Sequence, residues 1–231
     1  NYYLLSADYS QIELRLLAHC SEDENLVNAF CNEVDVHTLT ASKVFDVEVD
    51  KVTKDMRRTA KTVNFGIIYG QTKYGLAKLL KISPLAAGLF IEKYFETYPK
   101  VKDYMQNTVK FAYKKGYVET IFGRRRYMKS ELSSRNKMIR EFAERAASNQ
   151  PLQGSAADLI KMAMIDLSKK LDDKKLKSKM IMQVHDELIL EVPKEEIEEV
   201  NALTVESMEL GQPLRVPLLV DAKYGKNWFE K

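Results

Sequence analysis

Apolar positions along this chain switch between strand-like and helical spacing, with strands at both ends and helices between. Tyr2 to Ala7 is an apolar, β-prone run that reads as a strand, and a helical stretch begins at about Gln11. The next hundred or so residues read mostly as helix. Ser83-Pro84 supplies an N-cap followed by proline at the first helical position, opening a helix through Tyr94. Pro99 closes that segment, and Val101 to Lys115 gives another helix, ended by Gly116. Tyr117 to Phe122 reads as a short strand before Gly123. Helices resume at about Ser134 and are expected to break near Gln150-Pro151, where proline lacks a backbone donor. A further helix, about Ser155 to Leu171, has Leu159, Ile160, Ala163 and Leu167 on its inner side. Met180 to Val184 and Leu188 to Val192 are apolar β-prone runs separated by His185-Asp186-Glu187, which reads as a hairpin. Glu195 to Leu210 looks helical and Leu218 to Ala222 looks like a final strand. Strands at both ends flanking a helical middle predict an α+β protein whose sheet is assembled from distant segments.

One helical segment carries two opposed stripes. Arg57, Lys61, Phe65 and Tyr69 are spaced four apart. Each such step drifts about 40° around a helix, so the four share a face roughly 18 Å long. Met56, Ala60, Val63 and Ile67 lie nearly opposite and give the apolar face that a core-facing helix needs. Cations suit phosphates and an aromatic face suits a base or a sugar, so the order matches the parts of a nucleoside triphosphate. Solvated cations and aromatics packed on a neighbouring element fit the same positions. Gly66 in a helix interior costs about 1 kcal/mol, which makes sense where something approaches the backbone closely.

Composition adds a setting. The 231 residues, 45% hydrophobic, are ample for one large or two smaller domains. No apolar run reaches the roughly 18 residues of a membrane span, and Asn1 to Ala7 lacks the basic start of a signal peptide. Cys20 and Cys31 show no metal spacing and are expected to be reduced, which fits a cytoplasmic protein without a membrane partner. The three histidines are unclustered, so no zinc site is expected. The net charge of +3 conceals an asymmetry. Residues 51–61 carry five cations against Asp55, and residues 124–145 carry eight against Glu131, Glu141 and Glu144. Residues 191–210 reverse this, with seven glutamates against Lys194. Such a division suits a polyanionic partner, although charge runs also form solvated faces.

Asp8 follows the first strand and Asp186-Glu187 sits at a hairpin tip. If those strands are neighbours, three carboxylates converge at one sheet edge. Crowded acids repel, so the arrangement calls for a compensating divalent cation. Oxygen-only ligation with open positions suits Mg²⁺, and two such ions about 3.5–4 Å apart serve in-line phosphoryl transfer. Asp-Glu at a tight turn is also ordinary exposed turn chemistry.

The run Asp8-Tyr9-Ser10-Gln11-Ile12-Glu13-Leu14-Arg15 resembles motif A of family A DNA polymerases. Arg57 through Gly70, RRTAKTVNFGIIYG, resembles motif B, the family's nucleotide-binding fingers helix. Gln183-Val184-His185-Asp186-Glu187 resembles motif C. The three stand in the family's order, and the likeness covers essentially the whole chain. It implies that Asp8 and Asp186 hold two catalytic Mg²⁺ ions with the Tyr9 backbone carbonyl, and that Glu187 supports them near the primer end. It implies that Glu13 is a steric gate against a ribose 2′-hydroxyl. Arg57 and Lys61 would contact the triphosphate, with Lys61 also able to protonate the departing pyrophosphate. Phe65 would lie against the incoming sugar and base, in the form that goes with discrimination against dideoxynucleotides, and Tyr69 would shape the base-pair pocket. His37, in VDVHTLTA, matches a phosphate-contacting histidine; as a lone histidine it would read as structural. Arg145, Asn149 and Gln153, in RAASNQPLQGSAAD, match a template- and primer-contacting region. Arg145 and Asn149 share a helical face by spacing, whereas Gln153 lies beyond the Pro151 break. His185 would approach the primer terminus. The Arg124-Arg125-Arg126 run either touches nucleic acid or covers a solvated loop.

The resemblance implies template-directed DNA synthesis on primer-template DNA from dNTPs. It implies an antiparallel palm sheet drawn from both chain ends, with a largely helical fingers insertion. The expected organisation is palm over 1–20, fingers over 21–135 with the motif B helix at about 54–70, and palm again over 136–231 with the motif C hairpin at about 180–192. In the family, motif A follows a thumb, the first palm strands and often a nuclease domain. Here Asp8 is the eighth residue, so those parts are expected to be absent, and the chain to be a fragment or subunit with weak, distributive extension. The ending Gly225-Lys226-Asn227-Trp228-Phe229-Glu230 resembles the family's usual one. A non-catalytic nucleic-acid-binding module is the alternative that the basic segments alone permit. A single-subunit RNA polymerase is the nearest enzymatic alternative, against which Glu13 and Phe65 argue. Leu85-Ala86-Ala87-Gly88-Leu89 is unusually apolar where a charged helical face is expected.

Overall fold

The structure is a computed structural model that describes residues 2–209, 214–228 and 230. Its elements open with strand β1 (Tyr2–Tyr9) and helices α1 (Ile12–Ser21), α2 (Glu24–Cys31), α3 (Val36–Phe45), α4 (Lys54–Ile68), α5 (Lys73–Leu80), α6 (Pro84–Thr97) and α7 (Pro99–Lys115). There follow β2 (Tyr117–Glu119), β3 (Arg125–Tyr127), α8 (Lys129–Leu132) and the long helix α9 (Lys137–Asp173). The chain ends with β4 (Lys179–Val184), β5 (Glu187–Pro193), α10 (Ile197–Glu209) and β6 (Val220–Gly225). Two compact units result, one of Asn1–Glu13 with Ser155–Lys231 and one of Leu14–Gly154. The divide falls inside α1 and inside α9.

The first unit is built on a four-stranded sheet in the order β4-β5-β1-β6, antiparallel at each pairing. The expected α+β class, with an antiparallel sheet drawn from both ends of the chain, is what the structure shows. Strand alternation sends Leu5 and Ala7 to a fully buried face, while Asp8 lies exposed on the other. Helix α10 packs against β1, β5 and β6. Lys170 ties α9 to it, pairing with Asp166 on its own helix at 2.8 Å and with Glu206 on α10 at 3.2 Å. The inner positions expected on α9 (Leu159, Ile160, Ala163 and Leu167) are all buried. Leu210 and Phe229, part of the expected last helix and chain ending, lie outside the described residues.

The second unit is helical apart from the β2–β3 ribbon. Helix α3 packs on α4 and α6, and α5 packs on α6. Tyr98, fully buried, shares a 3.2 Å hydrogen bond between its hydroxyl and that of Thr40. Pro99 both stops α6 and, as the first residue of α7, starts the next helix. The apolar start of α6 leaves Leu85 76% and Leu89 51% exposed. Among the described residues no single helix is long and apolar enough to cross a membrane; α5 and α6 meet those criteria only as a pair bent by 110°.

One expected break is absent. Helix α9 runs through Pro151 without interruption. Proline removes one helical hydrogen bond and crowds the carbonyl four residues earlier, a cost of about 3 kcal/mol. Ala147, Leu152, Ser155 and Leu159 are buried on either side of it, and that continuous packing outweighs the local penalty.

Helix α4 shows why its end is where it is. The Gln71 N–H donates to the Gly66 carbonyl at 2.8 Å and the Gly70 N–H to the Ile67 carbonyl at 2.9 Å. Those two bonds form a Schellman motif, which needs a left-handed residue, and Gly70 supplies it at φ +64°. A Cβ on Gly70 would also meet Arg145 Cγ at 2.9 Å. At Gly66 the close approach is made by the protein itself, since a Cβ there would meet Leu76 Cδ1 of α5 at 3.3 Å. Gly70→Ala is therefore expected to destabilise the chain by about 1–3 kcal/mol, combining backbone strain with a displaced Arg145. Urea unfolding measures it, and a midpoint equal to wild type would refute the account.

Candidate active site

The register of the first unit assembles a carboxylate edge. Asp8 stands opposite Glu187 on β5 and opposite Asp221 on β6. Directly paired residues project to one face, so the side chains of all three share it. Two residues back on that face, the Ser6 hydroxyl donates to the Glu187 carboxylate. The Tyr9 N–H donates to the Asp186 carbonyl at 3.3 Å and the Ser10 N–H to the Leu219 carbonyl at 2.8 Å, tying the end of β1 to both neighbours. Asp8 and the Asp186-Glu187 tip are thus adjacent, as the sequence makes conditional on strand pairing. His185 forms the turn with φ +55°, and the Gln183 side-chain amide donates to its carbonyl at 2.7 Å. Tyr9 itself is buried, its hydroxyl donating to the Met208 carbonyl at 2.8 Å, and burial pushes its phenol well above the usual range. Its backbone is therefore held by both ends of the residue.

Asp221 was not singled out from sequence. Its strand was visible, but nothing in one sequence says which strand lies beside β1. Lys223, paired across from Ser6, holds Asp221 at 2.6 Å and adds a cation near Asp8. Among the described residues no three His, Cys, Asp or Glu side chains enclose a metal by themselves. The edge instead gathers the carboxylates of Asp8, Glu187 and Asp221 on one face, an oxygen-only, hard and open donor set. That set fits Mg²⁺, which keeps several waters and completes its shell with substrate phosphates. Glu13 lies half-buried in the first turn of α1, where the helix dipole favours an acid.

In the second unit, α4 presents its two stripes as the spacing predicts. Ala60, Val63 and Ile67 are buried, while Arg57, Lys61 and Tyr69 are exposed and Phe65 is half-buried. The Phe65 and Tyr69 rings stack, 6.4 Å apart at 19°, and His37 flanks Phe65 at 5.9 Å. Arg57 is exposed and also paired: its Nε and Nη2 donate to Asp35 at 2.6 and 3.2 Å. Asp35 in turn caps α3, which carries His37 in its first turn. Burial raises the Asp35 carboxyl, but hydrogen bonds from Arg57 and Thr38 outweigh it and hold the group down to about 2.

His37 is 2% exposed. Its Nδ1 lies 2.8 Å from the Asn64 side-chain amide, with which it shares a buried hydrogen bond. Burial lowers the imidazole to about 4; Asp35 opposes the shift and the charges of Arg57 and Lys61 add to it. The ring is therefore neutral at pH 7.

The unbroken α9 places Arg145, Asn149 and Gln153 on one face, which the expected break would have hidden. Arg145 crosses Gly70. Asn149 is buried and its amide donates to the Ile68 carbonyl at 3.3 Å, capping the end of α4 from the side. Gln153 is exposed. The arginine run is exposed, and its side chains are engaged by groups of the protein. Arg124 donates to the Gly154 carbonyl at 3.2 Å, Arg125 pairs with Glu119 at 3.1 Å and lies over Tyr117, and Arg126 donates to the Gln150 side-chain oxygen at 2.5 Å.

A model described as DNA polymerase family A matches residues 1–230. The chain is 55% identical, over 98% of its length, to DNA polymerase I of Caldicellulosiruptor bescii, of which it covers 27%. It is 55% identical, over 100% of its length, to DNA polymerase I of Bacillus subtilis, of which it covers 26%. It thus spans about a quarter of the length of these curated relatives. Among solved structures, the POL domain of Pol1 from M. smegmatis, in complex with DNA primer-template and dNTP, superposes with a TM-score of 0.93 at 47% identity. That match covers 98% of this chain and 40% of the other. Matched over residues 1–230 and more than half identical to relatives along nearly its whole length, this chain belongs to DNA polymerase family A.

Proposed function

We propose that this chain carries nucleotidyl-transfer machinery for template-directed DNA synthesis, with the first unit as palm and the second as fingers. The observation that supports it most is the bond from Tyr9 N–H to the Asp186 carbonyl, which gathers Asp8, Asp186 and Glu187 at one edge. The family uses divalent metal. In the reaction, a primer 3′-hydroxyl gives its proton to water as its oxygen attacks the α-phosphorus of a dNTP; a P–O bond forms there, the bond from that phosphorus to the α,β-bridging oxygen breaks, and pyrophosphate leaves. Two Mg²⁺ ions held by Asp8, Asp186 and the Tyr9 carbonyl would supply Lewis-acid stabilisation of the attacking and leaving oxygens.

The remaining steps belong to this chain's own side chains. Glu187, oriented by Ser6, supports the edge near the primer end. Arg57 and Lys61 hold the triphosphate, and Lys61 delivers a proton to the departing pyrophosphate. The parallel Phe65 and Tyr69 rings meet the sugar and base, and Glu13 fills the space of a 2′-hydroxyl. His37, kept neutral by burial, would offer its ring N–H to a phosphate oxygen. Arg145, Gln153 and His185 face the primer-template, while Asn149 acts through the end of α4 that it caps.

Asp186→Asn is expected to abolish primer extension by orders of magnitude while leaving primer-template binding, read by fluorescence anisotropy, within a few-fold. Retained extension would remove the carboxylate edge from the mechanism. Extension with dNTPs is expected to exceed that with rNTPs strongly, and Glu13→Ala to narrow the gap; equal use of both by the parent chain would favour an RNA polymerase.

His37 makes a pH prediction. A histidine whose folded pKa is about 4 against an ordinary 6.5 disfavours the folded state wherever the unfolded chain takes the proton first. Stability is therefore fully present above about 6.5 and falls as pH drops toward 4. NMR of the imidazole should show no titration above pH 5, and a midpoint near 6.5 would exclude the neutral-donor role.

A further inference from the structure

Asp35 has no place in the mechanism above, yet it joins two parts of it. It accepts the backbone N–H groups of His37 and Thr38 at 3.3 and 3.2 Å, together with the Thr38 hydroxyl, and so caps α3. The same carboxylate takes Nε and Nη2 of Arg57 from 22 residues away, at 2.6 and 3.2 Å. A guanidinium has five N–H donors in a planar fork. Asp35 occupies two along one edge, which fixes the plane and leaves three for an oxyanion on the open side. Both partners are partly exposed, so a second anion can reach Arg57.

A carboxylate beside a phosphate contact could equally repel the ligand, and the surroundings decide between the two. The Asp35 charge is met by the N-terminus of the ten-residue helix α3, by the Thr38 hydroxyl and by Arg57 itself. Little of it is left to oppose an approaching triphosphate. Arg57 without Asp35 would be a long, rotatable side chain at the exposed head of α4.

We propose that Asp35 is a positioning residue for nucleotide binding: it orients Arg57 so that the free edge of the guanidinium receives the phosphate chain. This rests on the reading of Arg57 as a triphosphate contact. The depressed carboxyl of Asp35 keeps the pair ionised throughout the range in which a nucleotide would bind.

Equilibrium binding of dATP with Mg²⁺ to the full chain, followed by calorimetry, tests it alongside thermal melting. Asp35→Asn keeps an oxygen for the α3 cap but turns an amide NH₂ toward the guanidinium. It is expected to weaken binding about tenfold, the scale of one lost charge-assisted contact. Asp35→Glu should recover most of that loss. Combining Asp35→Asn with Arg57→Ala should bind no more weakly than Arg57→Ala alone. If Asp35→Asn lowers the melting temperature, Asp35→Ser, which also caps a helix, carries the same expectation. Arg57→Ala binding as wild type would overturn the triphosphate reading and this proposal together. Arg57→Ala weakening binding while Asp35→Asn does not would overturn the proposal alone. Tighter binding by Asp35→Asn, or additive losses in the double variant, would do the same.

Discussion

Like charges repel, yet the register that seats β1 between β5 and β6 sets Asp8 level with Glu187 on one side and Asp221 on the other. Strand period leaves no milder choice, because a one-residue slip would turn Leu5 and Ala7 outward and Asp8 into the buried face. Burying a side chain such as Leu5 is worth about 1.5–3 kcal/mol, and Leu188, Leu190 and Val192 are buried on the facing strand. Repulsion between exposed charges a few ångströms apart is about 1 kcal/mol. The apolar face therefore wins, and the crowding of acids on the other face is its consequence. Ser6 and Lys223 soften that crowding without removing it. An edge built this way retains an attraction for cations.

In the second unit the constraint is of another kind. Helix α4 is anchored by Ala60, Val63 and Ile67, and its exposed side inherits a fixed direction from that anchorage. Both ends are also determined. Thr53 caps the start by accepting the Met56 N–H, and Gly70, Arg145 and Asn149 shape the finish. A region that resembles a nucleic-acid contact is thus partly consumed in holding the end of α4. Asn149 shows this most plainly, since a buried amide already bonded to a helix carbonyl has little left to offer a strand of DNA.

The sequence made legible whatever depends on period. The opposed stripes of α4, the β4–β5 hairpin and the inner face of α9 all follow from spacing, and the structure holds them where the spacing puts them. What it hid depends on partners distant along the chain. Asp35 reads as an N-cap, and only the fold shows that Arg57 lies across from it. Asp221 reads as an alternating strand residue until β6 is seen beside β1. Gly66 suggested a close approach, and Leu76 of α5 is a group that makes one. Pro151 misled for a different reason: the local penalty was real, but the tertiary packing that overrides it has no signature within a few residues.

These two groups of residues are held by different means, and side-chain length is the cause. An aspartate has one rotor before its carboxyl, so strand register alone nearly fixes where Asp8 can reach. Four rotors separate the Arg57 guanidinium from its backbone, and helix position alone leaves it a wide arc. A second contact must then do what the backbone cannot, and a fork-shaped cation lets one carboxylate set its plane while the opposite edge stays open. Lys61, one turn further on, has no such fork; three donors rotate about a point charge, which suits a group that follows a moving negative charge. On the proposed reading, orientation falls to Arg57 and adaptability to Lys61, and the carboxylate beside the arginine serves the first.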